Sequence, residues 1–180
     1  MPESVTQIRK RAAEAAARVL NEHWADEFGE CPLPVDATRV AELMGAEVFL
    51  ADLSHEPGNL SGFVYIPPAG EGPAQITINS EDHIHRRRFT CAHELGHTLD
   101  VRNDDKSEHG FVDRRDDLAS QGTDSREIFA NAFASTLLMP SDEVEYYATE
   151  LDVYSLARKF KVSTEAMVHR LNVLGLRARD

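Results

Sequence analysis

The apolar positions of the chain fall into a few clear registers. Between residues 4 and 24, Val5, Ile8, Ala12, Ala15, Val19 and Leu20 recur at three- and four-residue spacing, which is one face of a helix. Ser4 and Gln7 precede that face at capping-box spacing, where each can satisfy an early backbone N–H of the helix. The segment is alanine-rich and laced with charges, a composition that serves structure, and no chemistry is assigned to it. Cys31-Pro32-Leu33-Pro34 then breaks the chain. Asp36 is placed to cap a short helix running to Met44, with Gly45 as its stop. Ala46 to Asp52, Gly62 to Ile66 and Gln75 to Asn79 read as strands, the last two separated by a turn-rich run from Pro67 to Pro73. Helical spacing returns from Ile84 to Val101. Residues 102 to 123 are polar, acidic and poor in apolar side chains, which predicts a mobile loop. Helices resume at Asp124 to Leu138 and continue in shorter pieces to Leu174. No internal repeat is visible. Helices, a small antiparallel or mixed sheet, then more helices make an α+β fold. Residues 1–33 are expected to form an N-terminal helix and linker, 34–150 the core, and 151–180 a helical pair packed on it.

Composition narrows the class. A chain of 180 residues suits one domain with a proper core, and 42% hydrophobic with 28% charged residues excludes wholesale disorder. The net charge of −12 argues against a protein that grips nucleic acid or an anionic membrane through a broad basic field. No apolar run approaches the roughly 18 residues of a membrane span, and the first residues lack the pattern of a secretory signal. Cys31 and Cys91 do not make a disulfide framework, and free thiols fit a reducing compartment. The expected setting is cytoplasmic, with no membrane partner; oligomeric state cannot be read from the sequence.

Chemistry enters at Phe89-Thr90-Cys91-Ala92-His93-Glu94-Leu95-Gly96-His97-Thr98-Leu99, which contains H-E-x-x-H. With about 3.6 residues per turn, His93 and His97 stack on one helix face and can offer two imidazole nitrogens to a single metal ion. Glu94, one residue along, sits beside the ion rather than on it, where it can take a proton from the attacking water and pass it to the leaving amine. The alternative is a helix whose histidines merely face solvent. Leu95 and Leu99 supply an apolar side. Gly96 is unexpected, since glycine inside a helix costs ~1 kcal/mol against alanine, and it predicts a close approach by another backbone.

A catalytic zinc needs a third protein ligand and an open position. The longer pattern H-E-x-x-H-x-x-G-x-x-H is absent, because Asp100 and Asn103 occupy its glycine and final histidine. Glu127, on the next strong helix, is the favoured third ligand; Asp100 and His109 are rivals, and a solvated glutamate is the bland alternative. Glu127 and Asn131 are four residues apart and share a face, so Asn131 can accept a hydrogen bond from the far nitrogen of a ligating histidine. Ala130 and Ala134 are small enough to let two helices approach closely, whereas Phe129 and Phe133 read as core.

Several stretches together resemble the ImmA/IrrE family of metallo-endopeptidases. They are Arg88 to His97, Glu127 to Ala134, Leu137-Leu138-Met139-Pro140, Ile76 to Asn79 ahead of the motif helix, and the ending at Phe160 to Ser163 and Arg170 to Leu176. The resemblance covers roughly residues 34 to 176 and is far more specific than H-E-x-x-H alone. It implies a gluzincin-like fold, zinc held by His93, His97 and Glu127, and Glu94 as general base; manganese is a possible substitute. It also implies a substrate: family members typically cleave a helix-turn-helix repressor of the Xre type, releasing phage, mobile-element or stress genes, and some are paired with such regulators in toxin–antitoxin-like modules. The length is near the family's compact core, so no large C-terminal sensor domain is expected. Cys91 departs from the aliphatic residue more common in the family; it reads as a small core filler, with a metal or oxidation sensor as the alternative.

The resemblance also places Gln75 to Asn79 as an edge strand along which substrate would add as a further strand, against the alternative of a merely structural strand. His109, Tyr65 and Arg126 are candidate oxyanion stabilisers among which the sequence does not choose. His83 and His85 read as surface residues. The rival class is a regulatory module. Leu156 to Phe160, a turn at Lys161-Val162 and Ser163 capping a second helix resemble helix-turn-helix, and residues 152–180 carry six Lys or Arg against three Asp or Glu. A helical pair closing over the core fits the acidic remainder better than DNA binding does. A non-cleaving partner of an Xre-type regulator is a second alternative.

Overall fold

The computed structural model describes residues 3–56, 58–68, 71–102, 111–115 and 125–179. The elements run α1 (Val5–His23), α2 (Ala37–Leu43), β1 (Glu47–Ala51), β2 (Gly62–Ile66), β3 (Gln75–Asn79), α3 (Ile84–Arg102), β4 (Phe111–Arg115), α4 (Ser125–Leu138), α5 (Ser141–Ala148), α6 (Val153–Phe160) and α7 (Thr164–Leu174). This is the α+β order expected. Helix α1 opens on the capping box, with the Ser4 side chain accepting from the Gln7 N–H and the Gln7 side chain accepting from Ser4 N at 2.9 Å. The Asp36 carboxylate accepts from the N–H groups of Thr38 and Arg39 to start α2, and Gly45, at φ +84°, turns the chain out of it.

Sheet order is β1-β3-β2-β4. Strand β3 pairs in parallel with β1 and antiparallel with β2, so the sheet is mixed. Gln75 to Asn79 is therefore an interior strand, not the edge strand the sequence suggested. Both its hydrogen-bonding sides are occupied, Val48 opposite Ile76 on one and Val64 opposite Ile76 on the other. The second correction concerns residues 102–123, expected as a loop: Phe111–Arg115 forms β4, antiparallel to β2, as one edge strand of the sheet. His109 lies outside the described residues.

One face of the sheet is covered by α3. Val64, Ile66, Ile76 and Ile78 are buried there, with Cys91, Ala92 and Leu95 of the helix in the same core. The approach is closest at Gly62, where a Cβ would stand 2.5 Å from Thr90 Cγ2 and 2.7 Å from the Thr77 carbonyl oxygen. Helix α4 then packs against α3 on one side and α1 on the other. The apolar stripe of α1, from Ile8 to Leu20, is buried in that contact region.

Two arginines fasten the C-terminal pair. Helix α6 ends at Lys161 in the left-handed region, and Ser163 caps α7 by accepting from Ala166 N–H. Arg88 of α3 donates to the carbonyls of Phe160 (3.3 Å) and Lys161 (3.1 Å) at that turn, and to the Val35 carbonyl (2.8 Å) ahead of α2. Arg170 of α7 donates to the Met139 carbonyl and to Ser141 Oγ, both at 3.0 Å, where α4 passes into α5. A cation on the last carbonyls of α4 also meets the negative end of that helix. Burial pulls the Arg170 pKa down to about 10.

Replacing Gly62 by alanine should cost about 1–3 kcal/mol, because the Thr77 carbonyl on the neighbouring strand cannot yield as a side-chain end can. Urea unfolding read by circular dichroism would show the midpoint fall with little change in slope; an unchanged midpoint would mean that the Thr77 carbonyl of β3 does not crowd Gly62 as described.

Candidate metal centre

Helices α3 and α4 bring the predicted ligands together at their contact. His93 and His97 lie one turn apart, with ring centroids 4.6 Å from each other, and their Nε2 atoms are 2.9 Å apart. From α4, the Glu127 carboxylate reaches both: Oε1 is 3.1 Å from His97 Nε2 and Oε2 is 3.4 Å from His93 Nε2. His93, His97 and Glu127 are all buried, and their ligand atoms lie within 4.8 Å of one another.

That such a contact exists follows from small residues. A Cβ at Gly96 would stand 3.0 Å from Ala130 Cα and 3.2 Å from Phe133 Cδ1. The mid-helix glycine thus permits the backbone approach that its presence predicted. Phe129 and Phe133 stack on each other, 6.3 Å between centroids and 14° from parallel, and both are buried as core.

Donor chemistry fits a divalent cation. His93 Nδ1 is 3.1 Å from Asn131 Oδ1. With the N–H donated to that carbonyl oxygen, the lone pair is on Nε2, which faces His97 Nε2 and the carboxylate. Two imidazole nitrogens and a carboxylate then converge on one point, and a tetrahedral zinc bound at about 2.0–2.1 Å would hold such atoms roughly 3.3–3.4 Å apart. The observed spacings of 2.9, 3.1 and 3.4 Å lie at that value or a few tenths of an ångström below it. Burying a carboxylate among histidines is costly unless a positive charge sits among them. Glu94 follows His93 and is itself fully buried.

The rivals fall elsewhere. Asp100 accepts from Arg11 Nη1 of α1 at 2.8 Å, an ion pair across 89 positions of sequence. Arg11 in turn lies over the Phe129 ring, 4.5 Å from its centroid, so α1 helps hold α3 and α4 in register. That role of Arg11 was not readable in advance; its only signal was its place beside the buried Ala12. Tyr65 is exposed, on the face of β2 opposite the buried Val64 and Ile66. His83 is exposed and stacks edge-on against His85, as surface residues can. Cys91 is fully buried, receives the Thr38 hydroxyl at 3.8 Å, and has its thiol pKa pushed up to about 12 by burial, so it fills core as a neutral thiol.

Comparison with known proteins agrees with this architecture. The family model described as the IrrE N-terminal-like domain, Peptidase M78, matches residues 41–172. No curated protein matches significantly. Among solved structures, a Mycobacterium tuberculosis transcriptional regulator superposes with a TM-score of 0.54 at 19% identity, covering 95% of this chain and 52% of that one. The chain thus spans about half the length of that regulator, and at this identity the likeness speaks for fold alone.

Truncating Asn131 to alanine should weaken zinc binding by about 10–100-fold, the usual loss when the residue orienting a ligating histidine is removed. Asp100→Ala removes only the Arg11 bridge between α1 and α3, and should cost zinc affinity far less than Asn131→Ala. Competition against a chromophoric chelator measures both; the reverse ranking would assign the third ligand to Asp100.

Proposed function

The chain belongs to the Peptidase M78 family, in its IrrE N-terminal-like domain, and on that premise we propose that it is a zinc-dependent endopeptidase acting on an Xre-type helix-turn-helix repressor or antitoxin. The single observation that carries the reading is the buried convergence of His93 and His97 with Glu127. In this reading His93, His97 and Glu127 hold the ion, and Asn131 keeps His93 in the tautomer that presents Nε2. A bound zinc or manganese ion would supply Lewis-acid polarisation of the scissile carbonyl and acidify the attacking water. Glu94 takes the proton from that water and delivers it to the departing amine. Its burial excludes bulk water, which strengthens each charge interaction at the site.

Substrate enters as an extended segment. Since β3 is paired on both sides, only the outer edges of β1 and β4 are open to strand addition in the described sheet. We assign the role to β4, which lies in the chain between the two ligand-bearing helices. The C-terminal pair, residues 151–180, closes over the core in this scheme. Support comes from Arg88 and Arg170, which pin it to α3 and to the α4–α5 junction. Its second helix, α7, has little to offer DNA: the exposed residues there are Glu165, Val168, His169, Asn172 and Val173, and its one arginine is buried.

The test uses the purified chain, loaded with zinc or manganese, and an Xre-type repressor encoded beside its gene. Cleavage should appear as new termini by mass spectrometry, and Glu94→Gln should slow it by about 10²–10⁴-fold while zinc stays bound at full stoichiometry. Undiminished cleavage by Glu94→Gln would remove Glu94 as the base. Stable binding of the repressor with no cutting under either metal would turn the assignment to a non-cleaving regulatory partner.

A further inference from the structure

A groove of about 700 Å³ lies between α1, α4 and α7, on a face of α4 next to the one that carries Glu127. That volume is within the roughly 300–1,000 Å³ common for sites that hold small organic molecules. Its floor is a stripe of α4, Ile128, Ala132, Ser135 and Met139, at spacings that fall on one helix face. Ala132 and Ser135 are too small to fill the gap between the flanking helices. Asn131, whose Oδ1 meets His93 Nδ1, is part of the lining.

Charge around the groove runs against the rest of the chain. The protein carries 31 Asp and Glu against 19 Lys and Arg. The groove's charged lining is nevertheless Arg9 and Lys10 from α1 and Arg170 from α7, opposed only by Glu165. Arg9 and Lys10 are exposed; Lys10 reaches Glu14 only at 3.8 Å, a solvated contact of little energetic weight. Arg170 is buried and held by a carbonyl and a hydroxyl, so among the described residues its charge has no acidic partner. A buried guanidinium in the lining of such a groove favours an anion brought into it.

We propose that this groove binds a small organic carboxylate, its apolar body along the α4 stripe and its anionic group toward the basic rim of Arg9, Lys10 and Arg170. A bound carboxylate would lie against Asn131, within one side chain of the metal centre. The site is independent of the peptidase reading, since none of its contacts requires a metal or a scissile bond.

Isothermal titration calorimetry on the full chain, both zinc-loaded and metal-free, tests this with naphthalene-2-carboxylate and its neutral amide as probes. The carboxylate should bind at one site in both forms, and the amide at least roughly tenfold more weakly, a difference of about 1.4 kcal/mol. Ser135→Trp, which fills the groove, should reduce carboxylate affinity by a similar or larger factor. The double variant Arg9→Gln, Lys10→Gln alters only exposed side chains, and it decides the matter if the tryptophan variant does not fold. It should weaken the carboxylate and leave the amide unchanged. Equal affinity for acid and amide, no binding of the acid at millimolar concentration, or full affinity in either variant would overturn the proposal. So would an acidic helical peptide that binds the groove and is not displaced by the carboxylate.

Discussion

The structure depends on the contact between α3 and α4. A helix interior containing glycine gives up about 1 kcal/mol of intrinsic preference. Here that loss allows the Ala130 backbone to come within 3.0 Å of where a Gly96 side chain would begin. A side chain at this position would press the α4 backbone away by a few tenths of an ångström, on the helix whose Glu127 reaches the Nε2 atoms of both histidines. The same contact is reinforced from outside: α1 packs along α4, and Arg11 bridges Asp100 of α3 and the Phe129 ring of α4. Helix α1 carries no chemistry itself, yet it is part of what keeps the ligand set at its spacing.

The polar content of that contact sets it apart from ordinary packing. His93 and His97 of α3 and Glu127 of α4 are buried where the two helices meet, and Thr90, Glu94 and Thr98 are buried elsewhere along α3. Apolar side chains of similar volume would stabilise the junction better, since buried charges seldom recover their desolvation cost. Local conflict with the rules of core packing is expected at functional sites. The sheet beneath is unexceptional by comparison: Val64, Ile66, Ile76 and Ile78 make a conventional face for α3 to rest on. Its service to the site is to hold α3 rigidly, with Gly62 opening the space that Thr90 enters.

Much of this was legible because it is local. Capping residues Ser4, Asp36 and Ser163, the bounds of β2 and β3, and the i, i+4 geometry of His93 and His97 all follow from spacing within a few residues. Glu127 and Asn131 were singled out because a metal site must be completed and only certain side chains can complete it, and α4 places both of them beside His93. What could not be read was the order of the strands. Alternation of exposed Gln75 with buried Ile76 suits an edge or an interior strand equally well, and the pairing partner is fixed by hydrogen bonds between distant segments. Strand β4 was missed because Asp113-Arg114-Arg115 has no apolar alternation; its order comes from main-chain pairing with β2. The Arg11–Asp100 pair and the Arg88 clamp on the α6–α7 turn are likewise long-range choices among many exposed-looking charges.

The central claim is that this contact builds a site for one metal ion held by two histidines and a glutamate. X-ray absorption at the zinc edge of the stoichiometrically loaded chain addresses it directly. The account predicts only nitrogen and oxygen neighbours at about 2.0–2.2 Å, with the multiple-scattering signature of two imidazoles. A sulfur neighbour at about 2.3 Å would place Cys31 or Cys91 on the metal, and a spectrum without imidazole would place the ion elsewhere; either would contradict it.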